Sequence, residues 1–204
     1  MKRLFMPLAL ATLAAAAPPP RSVYPGKPIP AQTLGEVQRT VFSGPWAAWR
    51  GGAGGCPVIH ILEARSCPFC RAFMKQEYLP LEKAGYDIRI SYGAVASDSS
   101  AAIAEIALRR DIRVTLGHMG ARPATGPDPA NGDDDRLNAF NAAVMATQTY
   151  VKASRQAGYS AYLPTFIWQD KDGRWRLQSG YSPGDGQRIA QSMPTPAPGC
   201  AGGA

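Results

Sequence analysis

Two cysteines separated by a proline and a phenylalanine, Cys67-Pro68-Phe69-Cys70, constrain this chain more than any other feature. They follow the apolar run Val58-Ile59-His60-Ile61-Leu62 and open into Arg71-Ala72-Phe73-Met74-Lys75-Gln76. The run reads as a buried strand. Phe69, Ala72, Phe73 and Gln76 fall along one face of a helix expected from about Pro68 to Tyr78. Proline at position 68 suits the first helical turn, where its missing N–H costs no bond. The cysteines therefore sit where a strand ends and a helix begins. The N–H groups of a first helical turn lack intrahelical partners and carry partial positive charge. A thiolate at Cys67 is stabilised there, so its pKa is expected to fall. Cys70, one turn on, is placed to reach back and close a small disulfide. Attack, mixed disulfide and resolution by a second thiol are the steps of thiol–disulfide exchange.

The 204 residues suffice for one compact domain with appendages. The net charge of +7 is dispersed, with no run of lysines or arginines longer than a pair. Nucleic-acid binding calls for a basic stripe with interleaved aromatics, so no nucleic-acid partner is expected. Residues 1–17 begin with Met1-Lys2-Arg3, continue through an apolar core to Leu13 and end in small residues, Ala14 to Ala17. This is the pattern of a secretory signal peptide, too short for a convincing spanning helix. An uncleaved membrane anchor is the competing reading. The membrane is expected as a partner only through this segment. Export would place the four cysteines where disulfides persist.

Residues 18–55 read as an N-terminal extension. It is Pro-rich up to Pro30, helically spaced at Leu34, Val37 and Val41, and aromatic at Trp46 and Trp49. Gly51 to Gly55 is a flexible joint, and the domain boundary is expected there. Residues 56–193 then form the main domain. Pro80 should kink or restart the first helix, and Asp87 to Tyr92 alternates as a second strand. A helical insert is expected over about 98–157. It comprises a helix from Asp98 to Arg110, a Pro- and Gly-rich loop, and a helix from about Asp135 to Gln156. Leu137, Phe140, Val144 and Val151 supply the apolar stripe of that last helix. Asp133, Asp134 and Asp135 suit a helix start better than a metal site. Thr165 to Trp168 and Trp175 to Leu177 form a hairpin around a polar turn. A last helix runs from Asp185 to about Ser192. Residues 194–204 are expected to be a flexible tail apart from Cys200.

In order, the elements are strand, Cys-x-x-Cys helix, strand, helical insert, proline-led hairpin and final helix. The chain thus resembles the thioredoxin fold, an α/β architecture with a helical insertion between the second strand and the hairpin. It is more closely similar to the catalytic domains of the bacterial periplasmic disulfide isomerases DsbC and DsbG. The resemblance spans about Cys56 to Met193. It rests on Cys67-Pro68-Phe69-Cys70 after a strand, the insert, Leu163-Pro164-Thr165 opening the hairpin, and Gly180-Tyr181-Ser182-Pro183 before the last helix. It implies a periplasmic protein with Cys67 as nucleophile and Cys70 as resolving thiol. Pro164 would be cis and face the sulfurs, and Leu163 would pair with an extended substrate peptide. Pro68, Phe69, Leu163, Pro164 and Thr165 are the implied client contacts. The bland alternative for Pro164 is a strand-starting edge proline. The implied partners are cysteine-bearing protein clients and a redox protein that resets the dithiol. The only cofactor implied is the Cys67–Cys70 disulfide itself, with no metal.

Three departures accompany the resemblance. The isomerases carry threonine before the cis proline, where this chain has Leu163. Many thioredoxin-fold enzymes bury an acid six residues before the first cysteine, where this chain has Ile61. Glu63 is out of register; it could still relay protons to Cys70, but an exposed strand-end carboxylate is the expectation. Residues 18–55 are too few to form the dimerisation domain of DsbC. In a thioredoxin fold the start of the active-site strand and the end of the final helix share one pole. Cys56 and Cys200 are therefore a candidate structural disulfide, with two free thiols as the alternative.

The leading expectation is an exported thiol:disulfide oxidoreductase, isomerase or oxidase. The alternative is a periplasmic dithiol carrier of copper, or an assembly-binding protein on the same fold. Thiolates suit Cu(I), but the six methionines form no cluster. A structural zinc site would need a second cysteine pair. His60 on an apolar strand reads as a packed core residue, and His118 as a loop residue without a role.

Overall fold

A computed structural model describes residues 26–44, 47–48, 55–64, 66–94, 103–104 and 134–200. The leader at 1–17, Trp46, Trp49, most of the glycine joint, nearly all of the helix expected at 98–110, and His118 lie outside these residues.

A mixed sheet organises the molecule. Its centre is β3, Val58–Glu63, parallel to β4, Asp87–Tyr92, and antiparallel to β5, Thr165–Gln169. The hairpin partner of β5 is β6, Trp175–Ser179. Two short strands complete the edges: β1, Lys27–Pro28, on β6, and β2, Ala47–Ala48, on β4. The order is β1-β6-β5-β3-β4-β2. Helices cover both faces, and the fold is thioredoxin-like.

The two-residue period of the strands sorts the core into two layers. On one face Ile59, Ile61, Ile88, Ile90, Phe166 and Trp168 are buried with Phe73, Tyr78, Leu81 and Ile189 from the helices. On the other face Leu62, Ile167 and Leu177 pack with Tyr150, Ala153, Ile29, Val37 and Val41. Fully burying one such side chain contributes about 1.5–3 kcal/mol. The second layer corrects the expected boundary at the glycine joint. Ile29 and the helix α1, Ala31–Val37, with its π turn Gln38–Phe42, are part of the core rather than a separate extension. Lys27 reinforces this, donating to the Gly158 carbonyl at 2.8 Å beneath the Tyr159 ring.

The helix after β3 has three parts: α2, Pro68–Phe73, a π turn, Met74–Tyr78, and α3, Leu79–Lys83. Pro80 offers no N–H to the carbonyl four residues back. The ladder is widened in the turn just before it, so the helix continues instead of breaking. Gly85, at φ +96°, ends it.

The long helix α4, Asp134–Gln156, buries a different stripe from the one expected. Ala143, Ala146, Tyr150 and Ala153 face inward, while Leu137 is exposed and Val144 and Val151 are half-buried. Small residues let this helix approach the sheet closely, and Tyr150 fills the remaining depth. The final helix α5, Asp185–Ser192, starts after Gly184 and lies on the opposite face. The tail is also corrected: Pro198–Cys200 is a 3-10 turn whose cysteine is buried. Cys200 is bonded to Cys56 across a sequence separation of 144, with Cα atoms 5.6 Å apart.

Candidate active site

Cys67 is the N-cap of α2, in extended conformation at φ −78° and ψ 114°. Its Sγ accepts the Cys70 N–H at 3.3 Å, an orphan donor of the first turn. The same sulfur lies 3.5 Å from the Leu163 carbonyl, which accepts the thiol proton. The end of β3, the start of α2 and the loop before β5 therefore converge on one atom. Cys67 is half-buried, whereas Cys70 is sealed from solvent. Both are free thiols in this structure.

The Leu163–Pro164 peptide bond is cis. Its loop is held by hydrogen bonds on both sides. Gly180 N–H donates to the Pro164 carbonyl at 2.9 Å, and Tyr162 N–H donates to Ser179 Oγ at 2.7 Å. Thr165 Oγ1 donates to the Tyr162 carbonyl at 2.7 Å. Among the client contacts expected from sequence, Pro68 and Phe69 are exposed and Leu163 is half-buried. Thr165 is 2% exposed, so its side chain braces the loop instead of meeting a client. Pro164 is buried as well.

The two thiols have opposite electrostatics. The Cys67 pKa is pulled down to about 6. A hydrogen bond from the Cys70 thiol is the largest cause, opposed by partial burial and assisted by the Cys70 and Phe69 N–H groups and the Arg71 charge. Burial pushes the Cys70 thiol far up, helped by its bond to Cys67 and by the charge of Glu63. A low-pKa outer thiol beside a high-pKa inner thiol is an arrangement that can supply an attacking sulfur and then a second one.

Glu63 corrects an expectation. It is the last residue of β3 and is fully buried, not exposed. Among the described residues neither carboxyl oxygen has a hydrogen-bond partner. Burial, and secondarily the charge of Cys67, raise its pKa well above the usual carboxylate range. By strand alternation it shares the face of Ile59 and Ile61, the face that packs on Cys70 and Phe73. Its main-chain carbonyl accepts the Gly93 N–H at 2.5 Å, just past the end of the β3–β4 pairing. A Cβ at position 93 would stand 3.0 Å from that oxygen, so the approach needs glycine. The sequence signal is the acid that directly ends an apolar strand.

The remaining candidates lie elsewhere. Cys56 precedes β3 at the end opposite Cys67, so the Cys56–Cys200 bond is away from the reactive sulfur. His60 is buried and stacked on Phe42 at 4.3 Å. Burial, with the Arg89 charge, drops its pKa to about 3, as for a neutral packed ring. Asp134 and Asp135 are exposed on the first turn of α4. Among the described residues no group of three His, Cys, Asp or Glu side chains is arranged to hold a metal. No described helix is long and apolar enough to cross a membrane.

No family model matches the chain, and no curated protein matches it. Solved structures similar to it include the thiol-disulfide exchange protein alpha-DsbA2 from Wolbachia pipientis. The two share 11% identity at a TM-score of 0.45, covering 74% of this chain and 88% of that one. A linker-deletion mutant of Proteus mirabilis ScsC shares 16% identity at a TM-score of 0.45, covering 79% of this chain and 81% of that one. The catalytic domain of Proteus mirabilis ScsC shares 14% identity at a TM-score of 0.44, covering 79% and 97%.

Proposed function

We propose that this chain is an exported thiol:disulfide oxidoreductase that exchanges disulfides with protein clients through Cys67 and Cys70. One observation carries the reading: a half-exposed, low-pKa sulfur receives the Cys70 N–H at 3.3 Å and stands over a buried second thiol. The Cys67 thiolate attacks one sulfur of a client disulfide, and the other leaves as a thiolate that takes up a proton. The Cys70 thiol loses its proton and attacks Cys67 Sγ, expelling the first client sulfur as a thiol. The client disulfide is thereby reduced by two electrons, and the Cys67–Cys70 dithiol is oxidised to a disulfide. Run backwards, the same steps oxidise a client dithiol. If a client thiol resolves the mixed disulfide instead of Cys70, the client is isomerised without net redox change.

Glu63 is suited to the proton of Cys70. It is buried on the same face, interacts electrostatically with both sulfurs, and has no competing hydrogen bond among the described residues. The Leu163 carbonyl beside Cys67 supports the client being bound as an extended segment along that loop. Stabilising the Cys67 thiolate stabilises the reduced dithiol, which favours the oxidising direction. The basic, apolar leader at 1–17 supports export to the periplasm, where a partner protein would reset the dithiol.

A thiol-trapping redox titration tests the reading, with Cys67→Ser alongside. Two-electron cycling of wild type, lost in Cys67→Ser, is expected. Turnover on a reduced client against a scrambled one separates oxidase from isomerase. Tight stoichiometric Cu(I) with no turnover on either client would favour the metal-carrier reading instead.

A further inference from the structure

Among the described residues the exposed large apolar side chains are Phe69, Leu79, Leu137, Met145 and Tyr162. The two aromatic ones belong to the two separate segments that meet at Cys67 Sγ, the start of α2 and the loop before β5. Phe69, 53% exposed, follows Cys67 by two residues on the first turn of α2. Tyr162, 63% exposed, directly precedes Leu163, whose carbonyl is 3.5 Å from Cys67 Sγ. Phe73, Phe166 and Trp168 nearby are fully buried in the core.

Tyr162 is exposed without being loose. Its N–H donates to Ser179 Oγ at 2.7 Å, and its carbonyl accepts from Thr165 Oγ1 at 2.7 Å. The main chain is fixed on both sides while the ring is left in water. An aromatic ring on a fixed backbone presents contact area at small entropic cost, since little freedom is lost on binding. The Leu163 carbonyl turned toward Cys67 brings main chain beside the sulfur, which suits a client in extended conformation.

We infer that Phe69 and Tyr162 form a two-sided aromatic grip that selects client cysteines by their neighbours. The inference rests on the exchange reading above. In an extended client, residues two positions either side of the cysteine point to the same face as its sulfur. Those side chains meet Phe69 and Tyr162 when the client sulfur meets Cys67. The preferred client is therefore a cysteine with apolar residues at the second position before and after it.

The test uses the reduced full chain and two symmetric peptide disulfides. Both peptides have glycine directly beside the cysteine, so the leaving thiols match. One carries leucine two positions either side of the cysteine and the other carries serine there. The Cys67 thiolate attacks one peptide sulfur, the other peptide leaves as thiol, and Cys70 releases the second. Oxidised glutathione is the reference substrate. Wild type is expected to favour the leucine peptide over the serine peptide by about tenfold in kcat/KM, within the range one or two apolar contacts supply. Tyr162→Ala and Phe69→Ala should each shrink that ratio severalfold, and Tyr162→Phe should keep it. A wild-type ratio near one, or a ratio unmoved by both alanine variants, overturns the grip while exchange with glutathione stands. No reaction with any of the three disulfides overturns the exchange reading and the grip together.

Discussion

The main-chain N–H of Cys70 points at the sulfur of Cys67 from 3.3 Å, while the side chain of Cys70 is shut away from solvent. One residue thus supplies both the amide that stabilises the outer thiolate and the inner thiol that follows it. The consequences are measurable on the two sulfurs separately.

With its pKa near 6, Cys67 should alkylate at a rate that falls about tenfold per pH unit below that value and levels off above it. Cys70→Ala removes the largest cause of the shift, so the midpoint should move upward. The stability sign follows. The Cys67 pKa is lower in the folded protein than the unfolded value of 9.0, so its contribution to the reduced form is present above pH 9 and lost as pH falls through about 6. Denaturation of reduced wild type against Cys67→Ser across that window checks it; parallel curves would exclude the effect.

Glu63 carries the opposite sign. Its folded pKa is raised, so stability is full below about 4.5, where both states are protonated, and declines as pH rises through the folded pKa. Glu63→Gln should therefore melt higher than wild type at neutral pH, with the gap closing in acid. The same variant should slow resolution of a trapped mixed disulfide by about a hundredfold, the lower end for a lost proton acceptor. Stopped-flow resolution on the variant gives the answer, and unchanged resolution would remove Glu63 from the mechanism.

Cys56→Ser and Cys200→Ser should each destabilise the chain by about 2–5 kcal/mol, the usual loss for a native disulfide. Cys67 lies at the far end of β3, so its alkylation midpoint should stay near pH 6 in both variants. Urea midpoints and the pH profile report the two effects independently. A midpoint that moved with the disulfide would show that the two ends of β3 are coupled.

The tight seat of α4 predicts intolerance of size. Ala146 is 1% exposed on the inward side of α4. Ala146→Leu should cost about 1–3 kcal/mol by overpacking. Ala142→Leu, at a half-buried position one turn earlier, should cost less. Equal losses would mean the helix can lift off the sheet freely.

The strands and the reactive helix were legible because their signals are local. Alternation marks β4, an apolar run marks β3, and Pro68 marks a first turn. The inward stripe of α4 is not legible in the sequence because hydrophobicity is not depth. At a close helix–sheet contact alanine fits where valine and leucine do not, and no periodicity of apolar residues announces that. Glu63 escaped for a related reason. Its burial is set by long-range packing, since β3 lies between β4 and β5, which come from well-separated parts of the chain. The packing of Ile29, Val37 and Val41 was hidden because the Pro- and Gly-rich stretches around them look like linker. Their partners, Leu62, Ile167 and Leu177, belong to three strands far along the chain.

The covalent link from Cys56 to Cys200 encloses nearly all the functional chain, from β3 through α5, in one closed ring. A protease that cuts a single peptide bond anywhere in that ring opens the backbone but releases nothing. The strand leading to Cys67 and the hairpin bearing Leu163 would remain one molecule, parted only when the link itself is reduced.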